Sequence, residues 1–291
     1  LIYQRDMTDD YLLDTLEIDY KDISDYMSDN IKNYAVISMY TGEKEIPKES
    51  VWTSAIKVEN SINAMVIPKP KKEEKEEIEI DPSKPVVALT FDDGPTKQVT
   101  PYILDLLKQE NIKASFFVLG TRVESNPALV KREYEEGHFI GNHGYTHKYS
   151  SIYSSIDSVM NEYNKTNEAI KKAVGNDKFN SLVFRFPGGS VGGTYNNLKR
   201  EAERQLEEKG IGSVDWNALT NDAAGARTKE KILKNFYDTI QGKTSIVLLM
   251  HDAADKILTY ETLPEIISYL KENGYEFKTM YDAIGRNIET E

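Results

Sequence analysis

Three short stretches of this 291-residue sequence hold residue types that handle metals and protons. The first is Thr90-Phe91-Asp92-Asp93-Gly94-Pro95, two adjacent carboxylates followed by a turn-forming Gly-Pro. Neighbouring side chains on an extended segment point to opposite faces, so one carboxylate could hold a cation while the other moves a proton. A helix-capping Asp pair is the plainer alternative. The second stretch, His143-Gly144-Tyr145-Thr146-His147, contains two of the four histidines. Four-residue spacing on a helical turn aims both imidazoles to one side, as ligation requires, although surface helices also produce it by chance. Two neutral imidazoles and a carboxylate would make a three-ligand site with open positions, the pattern of a catalytic metal. The third is His251, directly after the apolar run Ile246–Met250, and it reads either as a satisfied edge residue or as a general acid. His138, after Gly137 at a predicted helix end, reads as structural or solvent-facing.

Two more stretches could complete such a site. Arg185-Phe186-Pro187-Gly188-Gly189-Ser190 places a guanidinium before a loop whose backbone a ligand can approach closely. Arginine can grip a carboxylate through two hydrogen bonds and hold its pKa low. Trp216 offers an aromatic wall, and Asp222 a carboxylate able to orient a histidine. Each has a core or capping explanation of its own, but nearly every one follows a predicted strand.

Those strands and the helices between them set the frame. Val86–Leu89 predicts a short buried strand, followed by a helix over 100–109 with Pro101 in its first turn. Strands are predicted at 114–119, 182–186, 211–215, 245–250 and about 276–278. Helices are predicted at 126–136, along a long apolar stripe from Ile152 to Val174, and at 196–208, 229–240 and 263–271. Such alternation implies a parallel sheet, open or closed into a barrel, with ligands at the C-terminal strand edge. Upstream, residues 1–68 mix helical and strand signals and are read as a small β-rich or mixed accessory domain. Its tyrosines and Trp52 are assigned to core and strand faces. Residues 69–84, charged and flanked by prolines, read as a linker, and 85–291 as the catalytic domain.

The net charge of −12 argues against a nucleic-acid partner. No segment approaches the roughly 18 consecutive apolar residues of a membrane span. With no cysteine, disulfides, thiolate nucleophiles and Cys-type zinc sites are excluded.

Taken in order, Thr-Phe-Asp-Asp-Gly-Pro (90–95), His-x-x-x-His (143–147), Arg-Phe-Pro-Gly-Gly (185–189), Asp-Trp-Asn with Asp222, and Leu-Met-His (249–251) resemble the polysaccharide deacetylases. These are the NodB-type domains of carbohydrate esterase family 4, and the resemblance runs over residues 84–288. It implies an α/β fold, a distorted (β/α) barrel with fewer than eight strands, and one divalent metal. Zinc suits the ligand set, and cobalt, nickel or iron could take the same positions. By motif position, Asp93, His143 and His147 would be metal ligands, Asp92 the base, Arg185 its tether, and His251 the general acid oriented by Asp222. The Gly188 N–H would join an oxyanion hole, with Trp216 and Leu249 forming the acetyl pocket.

The implied activity is removal of N-acetyl groups from a cell-wall amino-sugar polymer, peptidoglycan N-acetylglucosamine first, with chitin oligomers or acetylxylan as alternatives. A reading of another class is a non-catalytic, metal-bound glycan-binding module, against which the retained proton-transfer residues argue. The expected location is extracellular or wall-facing, after export by a signal or anchor outside this sequence. Two positions depart from the family pattern. Gly144 stands where a hydroxyl residue usually braces the loop, and Gly188 where Tyr is often found. The first is expected to slacken the metal loop, the second to open that side of the groove.

Overall fold

Apolar strands predicted from the sequence pair, without exception, in parallel. The structure, a computed structural model, describes residues 84–283. The expected accessory domain lies outside the described residues, as does the linker apart from Lys84. Among the described residues, eight strands and nine helices run in the order β1 (Val86–Asp92), α1 (Thr100–Glu110), β2 (Ser115–Val118), α2 (Gly120–Ser125), α3 (Pro127–Glu135), β3 (Phe139–Asn142), α4 (Tyr149–Ile152), α5 (Ile156–Val174) and β4 (Val183–Phe184). The chain continues through α6 (Asn196–Glu207), β5 (Gly212–Ser213), β6 (Ala218–Leu219), α7 (Lys229–Ile240), β7 (Ser245–His251), α8 (Ile257–Glu272), β8 (Glu276–Phe277) and α9 (Met280–Ala283).

Seven strands form one curved path, β5-β4-β3-β2-β1-β7-β6, and β8 pairs with the start of β1 off that path. β5 and β6 do not pair with each other, so the sheet is a half-barrel, the distorted barrel that was expected. Strand alternation decides what faces where. Val87, Leu89 and Phe91 of β1 and Ile246, Leu248 and Met250 of β7 pack outward against the helices, with Ile103, Leu104, Leu107, Leu263 and Ile266. Ala88 and Val247 point inward with Phe117, Phe139, Val183 and Val214, plugging the barrel floor. The same alternation leaves Thr90 and Asp92 inside, above that floor. β1 and β7 pair along their full length, from Val86↔Ser245 to Asp92↔His251, so the register itself sets Asp92 beside His251.

Local chemistry shifts several boundaries. The long stripe from Ile152 to Val174 is two helices, because the Ser155 hydroxyl accepts the N–H of Ser158 and starts α5 afresh. α8 begins at Ile257, upstream of the predicted 263, with Pro264 inside it; burial of Thr259 and Thr262 extends the helix past the proline signal. Helix α2 and strand β6 have no periodic signature at two to six residues and were not predicted.

Gly141 in β3 lies under the Phe117 ring, and a Cβ there would overlap the ring edge and come 3.1 Å from its Cγ. Gly141→Ala therefore overpacks the barrel floor, with an expected loss of about 1–3 kcal/mol. Thermal unfolding should show a fall in Tm of about 2–4 °C per kcal/mol; an unchanged Tm would mean that Phe117 has room to move.

Candidate active site

Arg185 sits at the C-terminal end of β4, its side chain completely buried among strand ends. Its Nη1 donates to Asp92 Oδ1 (2.8 Å) and to Thr90 Oγ1 (2.7 Å). Nε donates to Val214 O (3.1 Å) and Nη2 to Asp215 O (3.2 Å), while the guanidinium lies 3.9 Å from the Phe117 ring centroid. Thr90 in turn donates to Leu248 O (2.8 Å), which leaves its oxygen free to accept from the arginine. Asp92 is thereby fixed in one rotamer. Burial raises its pKa, against the opposing pull of Arg185 and the neighbouring His251.

Asp93 ends the strand alternation, because its φ of 74° is left-handed. As a result both carboxylates face one imidazole: His143 Nε2 is 3.6 Å from Asp92 Oδ2 and 3.6 Å from Asp93 Oδ1. His147 Nε2 lies 3.4 Å from Asp93 Oδ1. The two histidines do not share a helical turn, as their spacing had suggested. Residues 143–148 form an irregular loop in which Gly144 (φ 82°) and His147 (φ 58°) are left-handed, and this curl turns the rings together, 5.2 Å between centroids.

The triad fits a divalent metal ion. The ligand atoms of Asp93, His143 and His147 lie within 4.8 Å of one another. Metal–nitrogen bonds of about 2.0–2.1 Å at tetrahedral angles would place neighbouring ligand atoms about 3.4 Å apart. Asp93 Oδ1 is buried and has no hydrogen-bond partner among the described residues. His143 Nδ1 lies 2.7 Å from Arg185 O, a pure acceptor, so Nδ1 carries the proton and Nε2 turns its lone pair to the site. Burial lowers the His143 pKa to about 3, keeping the ring neutral.

Two glycines that were expected to loosen the site are compensated by residues from elsewhere. Below the metal loop, Glu162 of α5 accepts from the N–H groups of Tyr145 (2.6 Å) and Thr146 (2.7 Å) and from the Thr146 hydroxyl (2.8 Å). Asn142 Oδ1 accepts from Gly144 N–H (2.9 Å). The loop is thus braced although residue 144 has no hydroxyl. Nor is the groove open at Gly188 (φ 77°): a Cβ there would overlap the hydroxyl of Tyr149 and come 3.0 Å from its Cζ. The rest of that loop is tied down. Tyr153 Oη donates to Pro187 O (2.7 Å), buried Lys199 donates to Gly189 O (2.7 Å), and Asp215 accepts from Ser190 N–H (2.9 Å) and Oγ (2.8 Å). The Gly188 N–H has no acceptor among the described residues. Trp216 packs beside Gly189 and sits 5.9 Å from the Arg185 guanidinium, and Leu249 is buried one strand away.

Across the site, His251 ends β7. Its Nδ1 pairs with Asp222 Oδ1 (2.8 Å), its backbone N–H donates to Asp222 Oδ2 (2.8 Å), and Thr259 Oγ1 donates to the same oxygen (2.8 Å). Burial disfavours the charged ring, but Asp222, with Asp92 and Asp93 behind it, raises the pKa to about 9. For Asp222, too, burial works against the charge, but the bonds from His251 and Thr259 pull its pKa below the usual carboxylate value.

Comparison with known proteins assigns the chain to a family. Residues 79–210 match the family model described as polysaccharide deacetylase. A peptidoglycan-N-acetylglucosamine deacetylase of Bacillus cereus is 36% identical over 202 residues, covering 68% of this chain and 70% of the relative. The chain belongs to the polysaccharide deacetylase family. The PgdA peptidoglycan-N-acetylglucosamine deacetylase of Listeria monocytogenes is 37% identical over 207 residues, or 70% of this chain, which spans 40% of that relative's length. Among solved structures, a CE4 esterase of Streptococcus mutans superposes with a TM-score of 0.63 at 33% identity, covering 68% of this chain and 86% of that one.

Of the ten residues singled out in the sequence, Asp92, Asp93, His143, His147 and Arg185 are joined by direct contacts, Asp222 holds His251 beside Asp92 in the β1–β7 register, and Gly188, Trp216 and Leu249 lie on neighbouring strand ends and loops. Sequence reasoning missed the bracing residues Tyr149, Tyr153, Glu162 and Lys199, whose helical spacing reads as ordinary core or surface, and it gave Thr90, on strand β1, no role. Asp215 was quoted as part of a motif without a role. It also missed Asp252, a buried carboxyl pushed up to about 7 by burial, which accepts from the Thr100 hydroxyl and underlies Gly94. His138 is structural: it is buried, and Nδ1 accepts from Ala114 N–H (3.1 Å).

Because the folded pKa of His251 exceeds the ordinary value of about 6.5, its pairing with Asp222 stabilises the fold fully below about pH 6.5. That contribution disappears as pH rises through about 9. Asp222→Asn should move the NMR titration of His251 downward and flatten the alkaline loss of stability; an unmoved titration would assign the shift to other carboxylates. Glu162→Ala should weaken zinc binding about 10–100-fold in a chelator competition titration. Unaltered affinity would show that Asn142 suffices to hold the loop.

Proposed function

We propose that this chain is a metal-dependent deacetylase that hydrolyses N-acetyl groups of peptidoglycan N-acetylglucosamine. The observation that carries the reading is a pair of proton carriers set side by side by the β1–β7 register, next to one metal triad. Asp92 is a buried carboxylate held by Arg185, and His251 is an imidazole that Asp222 keeps charged. A binding module needs no such pair.

A divalent ion, with zinc the best match to two imidazoles and a carboxylate, would be held by Asp93, His143 and His147; when bound it supplies Lewis acidity, acidifying a water and polarising the acetyl carbonyl. Asp92 takes the proton of the attacking water, helped by a basicity that burial raises. Arg185 keeps that carboxylate aimed. The Gly188 N–H donates to the oxygen on which negative charge develops, and one such donor is worth about 10²–10³ in rate. His251 then protonates the departing amine, which an amide requires because an amide anion leaves poorly. Trp216 and Leu249 wall the acetyl methyl.

The relatives named for peptidoglycan deacetylation support the substrate, and a wall polymer as substrate supports a location outside the cell. No helix among the described residues is long and apolar enough to cross a membrane. Acetate release from purified peptidoglycan, with chitin oligomers and acetylxylan in parallel, tests the proposal. The expected result is release from peptidoglycan that stops with a chelator, returns with zinc, and falls at least about 10²-fold in Asp92→Asn. Release confined to another polymer would move the substrate and keep the mechanism. Glycan binding without acetate release would favour the binding module.

A further inference from the structure

Tyr149 is one of three large hydrophobic residues exposed among those described, at 42%, and it stands at the mouth of the site. Its ring lies 5.7 Å from that of His147, and its hydroxyl occupies the space a side chain on Gly188 would fill. It therefore bridges a triad residue and the loop that presents the free Gly188 N–H. The hydroxyl itself makes no hydrogen bond to the described residues.

The ring is not a floppy surface tyrosine. Tyr149 opens the single turn α4, and four residues on, buried Tyr153 meets it edge-on with centroids 5.6 Å apart. Tyr153 is fixed by its bond to Pro187 O, by Tyr195 at 5.2 Å and by Lys199 at 5.1 Å from its ring. An exposed aromatic ring and a phenol O–H with no partner among the described residues thus stand over Gly188, with Trp216 packed on the next residue, Gly189. That is the chemistry a pyranose takes: an aromatic face against its C–H surface and a hydroxyl for one of its own.

We propose that Tyr149 is a substrate-binding residue, its ring packing on the acetylated sugar and its hydroxyl bonding a sugar hydroxyl next to the acetamido group. The proposal rests on the amino-sugar reading above. Tyr149 does for this groove, from the metal-loop side, what position 188 has no side chain to do.

The test compares wild type, Tyr149→Phe and Tyr149→Ala, each zinc-loaded, on N-acetylglucosamine tetramer and on 4-nitrophenyl acetate, which carries no sugar. Binding of the tetramer is measured separately by calorimetry in the Asp92→Asn background, where turnover does not enter. Loss of the hydroxyl should raise KM for the tetramer about fivefold or more with a smaller change in kcat, and weaken calorimetric binding by a similar factor. Loss of the ring should weaken both further, while kcat/KM on the aryl ester falls less than on the tetramer. Equal losses on both substrates, or a fall in zinc content in Tyr149→Ala, would overturn the proposal in favour of a structural prop for His147. Unchanged tetramer affinity in both variants would overturn it outright. If wild type binds tetramer but releases no acetate, the deacetylase reading fails, and the calorimetric comparison still decides Tyr149.

Discussion

The buried ion pair between Arg185 and Asp92 is the interaction on which the remaining geometry depends. A guanidinium with no solvent exposure is tolerated because four of its donor bonds are met: a carboxylate, a hydroxyl and two carbonyls, all from strand ends. These partners come from β1 and from the segment after β5, so the arginine ties the two sides of an incompletely closed barrel across its interior. Its backbone carbonyl does a second job by accepting from His143 Nδ1, which sets the tautomer of a triad imidazole. One residue thus fixes both the Asp92 carboxylate and the His143 tautomer, and deleting it would leave Asp92 as an unpaired buried charge.

The second constraint is left-handed backbone. Asp93 and His147 are non-glycine residues at positive φ, a conformation disfavoured by about 1–2 kcal/mol per residue. Both belong to the triad, and the local penalty is offset by what surrounds them. Glu162 gathers the N–H groups of the metal loop, and Asp252 fills the hollow beneath Gly94 while its backbone N–H holds Asp92 O (3.1 Å). The glycines at 144 and 188 are therefore not gaps in the machinery. Gly144 takes the left-handed backbone (φ 82°) that lets the loop curl above Ile152 and Glu162, and Gly188 makes room for Tyr149.

Electrostatics divides the site into two halves with different proton chemistry. His143 is buried and kept neutral, with its Nδ1 bonded to a carbonyl, whereas His251, equally enclosed, is kept charged by a carboxylate. Identical side chains thus rest neutral in one place and charged in the other because of their surroundings. Thr259, donating to Asp222 from α8, links that choice to a helix whose start the sequence placed six residues too late.

What the sequence determined by itself was the inventory and its order. Strand–helix alternation implied the parallel sheet, the continuous apolar runs of β1 and β7 marked buried strands, and five motifs pointed to the family and nominated ten candidate site residues, because these signals are local or depend on residue type. Other features were decided by tertiary structure. The His-x-x-x-His pair was read on a helix, but its rings converge through a loop curl that spacing cannot encode. The bracing by Glu162, Lys199, Tyr153 and Asp215 joins residues 10 to 34 positions apart, and a buried Glu or Tyr on a helical stripe looks like any other. Gly188 read as an opening because its own position holds no side chain, yet Tyr149, 39 residues earlier, fills that volume. Residue type and spacing record which chemistry is available, but occupancy of space depends on which distant segments fold together.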